Sequence, residues 1–182
     1  MADKIAVLSI KGDGPKGLEG ETAQRVMRHL LAEKREKPVD VFEVDRDKSL
    51  TIKDIYAYGK YDVYVVINGT VFITHESIHA LSRIIANSET LSAVAPVSNE
   101  SDMVFQRHTP SFFYQTISVL RWAVEETYRE FKDTVVEVDG IDDFCFALRR
   151  EFLDGLPADY ALMNLLNMMK KSGLRFGIAT EQ

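Results

Sequence analysis

The chain has almost no cysteine, no surplus of positive charge and no long apolar run, and each shortage removes a class of protein. A lone cysteine, Cys145, excludes an internal disulfide, and its place inside the apolar run 144–148 reads as a small buried hydrophobe. The 22 Lys and Arg are spread among 28 Asp and Glu, which argues against a general nucleic-acid surface, because phosphate binding needs clustered cations. No RNA-binding aromatic signature offsets this. No stretch is apolar for long enough to span a bilayer, and Met1-Ala2-Asp3-Lys4 lacks a signal-peptide core, so the expectation is a cytoplasmic protein without a membrane span. Internal repeats and low-complexity linkers are missing too. What is present, 46% apolar and 27% charged residues over 182 positions, suits one globular domain covering 1–182 with a substantial core.

Strand and helix patterns alternate after the first strand, which predicts a single-domain three-layer α/β/α fold with a mostly parallel mixed sheet. The clearest part is a strand–helix–strand unit over 61–99. Val63, Tyr64, Val65, Val66 and Ile67 form a β-branched run too short for a helix, and Asn68-Gly69 is turn chemistry that stops it. Ile78, Leu81, Ile84 and Ile85 then recur at helical spacing, with the helix starting near Thr74, before Ala93, Val94 and Ala95 return to strand. Open α/β sheets bind ligands at the carboxyl ends of their strands, which directs attention to the loops after Asn68 and after Pro96.

Other segments read more plainly. The glycine-rich stretch 11–17 follows the first strand but matches no phosphate-loop spacing, and Ala23, Val26, Met27, Leu30 and Leu31 mark an amphipathic helix after it. Thr109-Pro110 opens a long helix, to about Phe131, carrying Phe113, Ile117, Leu120, Val124 and Tyr128. So much apolar surface on one helix suggests a homo-oligomer in which a second copy covers the remainder. A Met-rich helix is expected over 159–171. Asp139, Asp142 and Asp143 cluster before Phe144, either as solvated turn acids or as a group that binds a metal or a basic ligand, and Asp102 is a weaker candidate on the same side.

Several of these pieces resemble inverting glycosyltransferases of the family 2 type, which have the GT-A fold. Asn68-Gly69-Thr70 stands where the family has Asn-x-Asp, and Ala95-Pro96-Val97-Ser98-Asn99 where it has Gly-Pro-Val-Ser-Asn. Phe144-Cys145-Phe146-Ala147-Leu148-Arg149-Arg150-Glu151 is similar to the family's Gly-Phe-Cys-x-x-x-Arg-Arg-Glu. As a fainter echo, 4–10 corresponds to the first strand and 41–45 to the second, ending in Asp45. The resemblance implies a GT-A-like sheet, a nucleotide-sugar ligand and a divalent Mn²⁺ or Mg²⁺ ion. It places Asp45 on the base, Asn68 and Thr70 along the diphosphate, and Ser98 and Asn99 on the neighbouring loop.

The chain departs from the pattern where the family's chemistry lies. Thr70 replaces the carboxylate that holds the metal, and a hydroxyl is a poor substitute on a hard cation. Counted back from Gly173-Leu174-Arg175, the family's Glu-Asp-x-Asp falls near 161–164, where no acid stands. Asp159 is the nearest, and with Asp143 it is the candidate for the general base. Two readings follow: a glycosyltransferase-like protein that binds a nucleotide sugar, or a non-catalytic binding or assembly module of pseudo-glycosyltransferase type.

A third reading comes from His75-Glu76-Ser77-Ile78-His79, a His-Glu-x-x-His. On a helix the two imidazoles share a face and can bind zinc while the Glu activates water, with Glu89 as the nearest third ligand. Against that zinc hydrolase stands the ordinary reading, in which His75 and His79 occupy the polar face of a helix packed through Ile78, Leu81 and Ile85.

Overall fold

Five of the seven strands run in one direction, and the two that oppose them decide how the sheet is put together. The computed structural model describes residues 4–10, 39–44, 50–68, 71, 73–98, 101, 103, 106–107, 122 and 134–179. The strands are β1 (Ile5–Ile10), β2 (Asp40–Val44), β3 (Val63–Asn68), β4 (Leu91–Pro96), β5 (Val135–Val138), β6 (Cys145–Arg149) and β7 (Arg175–Ala179). The helices are α1 (Ile52–Ala57), α2 (His75–Asn87), α3 (Arg150–Asp154) and α4 (Leu165–Lys171). The chain is thus an α/β fold with a mixed sheet in the order β2-β1-β3-β6-β4-β7-β5.

The strand–helix–strand unit is real but split. β3 and β4 are parallel to each other, yet neither pairs with the other, because β6 lies antiparallel between them. Nothing in the hydrophobic period of 61–99 announces a strand inserted from residues 145–149, since periodicity reports faces and not neighbours.

Alternation along the strands divides the core into two layers. Ala6, Leu8, Tyr64, Val66, Phe146 and Leu148 face one side, where Ile52 and Ile55 of α1, Leu153 of α3 and Leu165 and Met169 of α4 pack on them. Val7, Val63, Val65, Ile67 and Ala147 face the other, under Ile78, Leu81 and Ile85 of α2. Full burial of each such aliphatic side chain stabilises by about 1.5–3 kcal/mol, so these two layers supply most of what holds the sheet. β4 changes its pairing register between Leu91 and Ala93, which is why Leu91 and Val94 reach one layer while Ala93 and Ala95 reach the other.

Thr74 caps α2 through a hydrogen bond from the Ser77 N–H at 3.2 Å, so the helix starts where its sequence predicts. The helix predicted over 159–171 starts late. Ala161 is extended and bridged to Thr51, the Leu162 N–H donates to the Leu50 carbonyl at 2.8 Å, and after a single 3₁₀ turn (Leu162–Asn164) the α-helix begins at Leu165. Pairing with a segment distant in sequence overrides local helix preference there. α4 then ends in a Schellman arrangement. The Leu174 N–H donates to the Met169 carbonyl and the Gly173 N–H to the Lys170 carbonyl, with Gly173 at φ +68°.

The glycine-rich stretch 11–17, the helix after it, and the 109–131 helix apart from Trp122 lie outside the described residues, as do Asp45, Thr70, Asn99 and Asp102. No helix among the described residues is long and apolar enough to cross a membrane.

Candidate functional site

Register places one set of strand ends at a common level. Ile10 pairs with both Val44 and Asn68, Ile67 pairs with Cys145, and Pro96 pairs with Ala179. The carboxyl ends of β1, β2, β3, β4 and β7 therefore share an edge with the start of β6. Asn68 ends β3 there, and its backbone N–H donates to the Phe144 carbonyl at 2.8 Å, which carries the ladder one step beyond β6. Its side-chain amide donates to the Asp143 carboxylate at 3.4 Å. Asn68 and Asp143, more than seventy positions apart in the sequence, are in contact.

The loop after β4 is joined to the same place by a residue that the sequence did not single out. Gln106 is fully buried. Its amide nitrogen donates to the Pro96 carbonyl and its amide oxygen accepts from the Asp142 N–H, each at 2.9 Å. Gln106 also gives its backbone carbonyl to the Ser98 N–H at 2.9 Å. One side chain thus ties the end of β4 to the acidic loop before β6. Ser101, also buried, donates through its hydroxyl to Asp142 at 3.0 Å, and Arg107 donates through Nε to the Ser101 carbonyl at 2.6 Å. A stretch reading Ser-Asp-Met-Val-Phe-Gln-Arg looks like polar loop in a single sequence, and only burial distinguishes Gln106 within it.

Asp142 and Asp143 have different surroundings. The Asp142 carboxylate accepts from Ser101 Oγ and from the Asp143 N–H at 2.9 Å, which makes it a loop-building acid. Asp143 is exposed and meets Asn68. Asp159 belongs to a different loop. It is exposed in the turn after α3, where Ala158 and Tyr160 give their carbonyls to the Lys53 and Ile52 N–H groups at the start of α1. The structure joins Asn68, Ser98 and Asp143 in one hydrogen-bonded assembly and anchors Asp159 apart from it. The Arg-Arg-Glu end of the resembling segment also lies elsewhere. Arg149 pairs with Val63 at the opposite edge, and Arg150 pairs with Asp154 within α3.

The zinc reading needs correction. Glu89 follows the helix cap Ser88, whereas His75 sits in the first turn of a 13-residue helix about 20 Å long, so the two cannot reach one cation at bonding distance. Among the described residues no group of three His, Cys, Asp or Glu is arranged to hold a metal. The polar-face reading is also wrong for His75. It is buried on the same stripe as Ile78, Ser82 and Ile85, its ring 4.7 Å from that of the half-buried His79, because α2 turns its first residue toward the sheet.

Cys145 is fully buried beside this edge, and burial pushes its thiol up to about 12. A thiol with that environment is no nucleophile at neutral pH. Because the folded value lies above the unfolded one, the thiol contributes stability that is complete below about pH 9 and lost as pH climbs toward 12. We expect the native protein to leave Cys145 unmodified by a disulfide-exchange reagent at pH 8 and to yield one equivalent only after unfolding in guanidinium. Rapid labelling without denaturant is the contrary result.

No protein-family model matches the sequence, and no curated protein matches it significantly. Among solved structures, A197 from STIV has a similar fold at 11% sequence identity and a TM-score of 0.49, over 95% of this chain and 80% of that one.

The assembly at the strand ends brings together an exposed carboxylate, a side-chain amide and an exposed guanidinium, tied to one another through the buried Gln106 and Ser101. The described residues do not form a metal cage of their own. Asp143 is the exposed carboxylate at this edge, and one carboxylate does not make a metal site by itself.

Proposed function

We propose that the chain is a glycosyltransferase-like domain that binds a nucleotide sugar at this strand-end edge. The observation that supports it is the contact of Asn68 with Asp143, joined to the Pro96–Ser98 segment through Gln106 and Asp142, since three segments resembling one family are held together by these bonds. In this reading Asn68 and Ser98 line the donor, and Asp143 approaches the cation on its diphosphate. The cation, when bound, offsets the charge that develops on the departing diphosphate. The resemblance assigns Asp45 to the base and Thr70 to the diphosphate, and both lie outside the described residues.

A second reading is favoured by one specific feature. Of the two acids considered for the general base, Asp159 lies on another loop, and Asp143 is given to the cation in the first reading. A module that binds the donor without transferring its sugar requires neither acid as a base.

Calorimetric titration of metal-stripped protein with UDP- and GDP-sugars plus Mn²⁺ tests the binding. Saturable heat is expected from the native chain and at least tenfold weaker binding from Asp143→Asn, with Asn68→Ala weakened similarly. Equal affinity in all three proteins removes the site from consideration, and the absence of heat with every sugar nucleotide rejects the donor-binding reading itself.

A further inference from the structure

Arg107 belongs to none of the segments that resemble a known family, yet it is the basic residue bridged to the loop after β4. Its backbone pairs with Ser98 in a parallel bridge, its predecessor Gln106 is fully buried, and its own side chain is exposed. Nε donates to the Ser101 carbonyl at 2.6 Å. Ser101 is itself buried, donating to Asp142 and accepting from the Met103 N–H at 3.2 Å, so the residue whose carbonyl receives Nε is held by two hydrogen bonds of its own side chain.

An arginine anchored through Nε has its guanidinium plane set before any ligand arrives. Its Nη1 and Nη2 groups remain as a planar fork, and among the described residues they carry no hydrogen bond or ion pair. Two parallel N–H groups match two oxygens of a phosphate, a geometry that a lysine does not reproduce. Prior ordering of the fork also lowers the entropic cost of closing on the anion.

We propose that Arg107 is the phosphate-binding residue of the strand-end site, taking the oxygens of a diphosphate-bearing ligand on its Nη1–Nη2 edge. The proposal deepens the donor-site reading and rests on it for the remainder of the ligand. The Asp142 carboxylate, which accepts from Ser101 beside the Arg107 anchor, would repel a bare anion, so the phosphate would bind together with a divalent cation, toward which the exposed Asp143 could offer its carboxylate.

The test is calorimetry at low ionic strength with Mg²⁺, using inorganic pyrophosphate, UDP, UDP-sugars and uridine, on the native chain, Arg107→Gln and Arg107→Lys. Gln keeps a donor for the Ser101 carbonyl but removes the charge and the fork, and Lys keeps the charge alone. Pyrophosphate and UDP are expected to bind at least tenfold more weakly to Arg107→Gln, with a smaller loss in Arg107→Lys, while any uridine affinity is unchanged. Should Arg107→Gln fail to fold by circular dichroism, the ratio of pyrophosphate to uridine affinity in Arg107→Lys decides instead. Native affinity for pyrophosphate in the folded variant, or no binding of pyrophosphate and UDP by the native chain, overturns the proposal. Arg107-dependent binding of pyrophosphate without binding of any UDP-sugar keeps the phosphate site and rejects the nucleotide-sugar reading.

Discussion

Replacing Gln106 by leucine is expected to destabilise the protein by about 2–5 kcal/mol and to abolish the donor binding proposed at the strand-end edge. The two side chains have similar bulk, so no large cavity opens. The loss comes from the partners left behind. The Pro96 carbonyl and the Asp142 N–H both depend on the Gln106 amide, and a buried polar group without a partner costs about 1–3 kcal/mol. Urea unfolding measures the first effect and titration with UDP- and GDP-sugars plus Mn²⁺ the second. Gln106→Glu gives a sharper form of the experiment. A carboxylate can still accept from Asp142 but opposes the Pro96 carbonyl, whereas the protonated acid restores a donor. The carboxyl is therefore raised in the fold above its unfolded value, and its contribution is present below pH 4–5 and lost as pH rises. The urea midpoint of Gln106→Glu should accordingly improve on acidification relative to that of Gln106→Leu. A leucine variant within about 0.5 kcal/mol of the native chain would show that the clamp is incidental, since that is the range of ordinary surface substitutions.

Gly177→Ala is expected to cost about 1–3 kcal/mol, and Gly177→Val more, although an extra methyl group in the centre of a strand usually helps. The reason is space. A Cβ at Gly177 in β7 would sit 2.7 Å from Leu91 Cδ1 and 2.9 Å from Val135 Cγ1, closer than real contacts allow. These side chains come from the two strands that flank β7, so relief means turning both Leu91 and the stiffer, β-branched Val135 away from their present packing. Trimming one neighbour isolates the effect. In a Leu91→Ala background the added methyl group at 177 should cost less than it does alone, a coupling of about 0.5–3 kcal/mol in a double-mutant cycle. Strict additivity of the two substitutions, read from denaturation midpoints, is the outcome that rejects a packing cause.

Alternation and helical spacing made β1, β3, α2 and the centre of β4 readable, because each buries one face against a layer that its own pattern reveals. The residues 144–148 were legible as an apolar run. Their position between β3 and β4 was not, because a strand's neighbours depend on which distant segment offers a free ladder. The site was legible to the same extent. Asn68 and Ser98 stand where polar residues follow apolar runs and Asp143 where they precede one, and those breaks share one edge of the sheet. Gln106 and Arg107 gave no such signal, since a buried amide and an anchored guanidinium are defined by partners rather than by spacing. His75 failed for the converse reason. Its spacing from His79 was conspicuous, but the rotation of α2 on the sheet, which turns it inward, is set by Ile78, Ile85 and their contacts.

The insertion of β6 has a consequence for how the molecule is made. During synthesis from the amino terminus, β3 and β4 leave the ribosome well before residues 145–149, and the rows of N–H and C=O groups that will later receive β6 have no native partner in that interval. The halves of the sheet on either side of it can join only when this third segment arrives from far along the chain. Closure is therefore a late, long-range event, which slows folding and leaves the incomplete chain exposed to mispairing with its own copies.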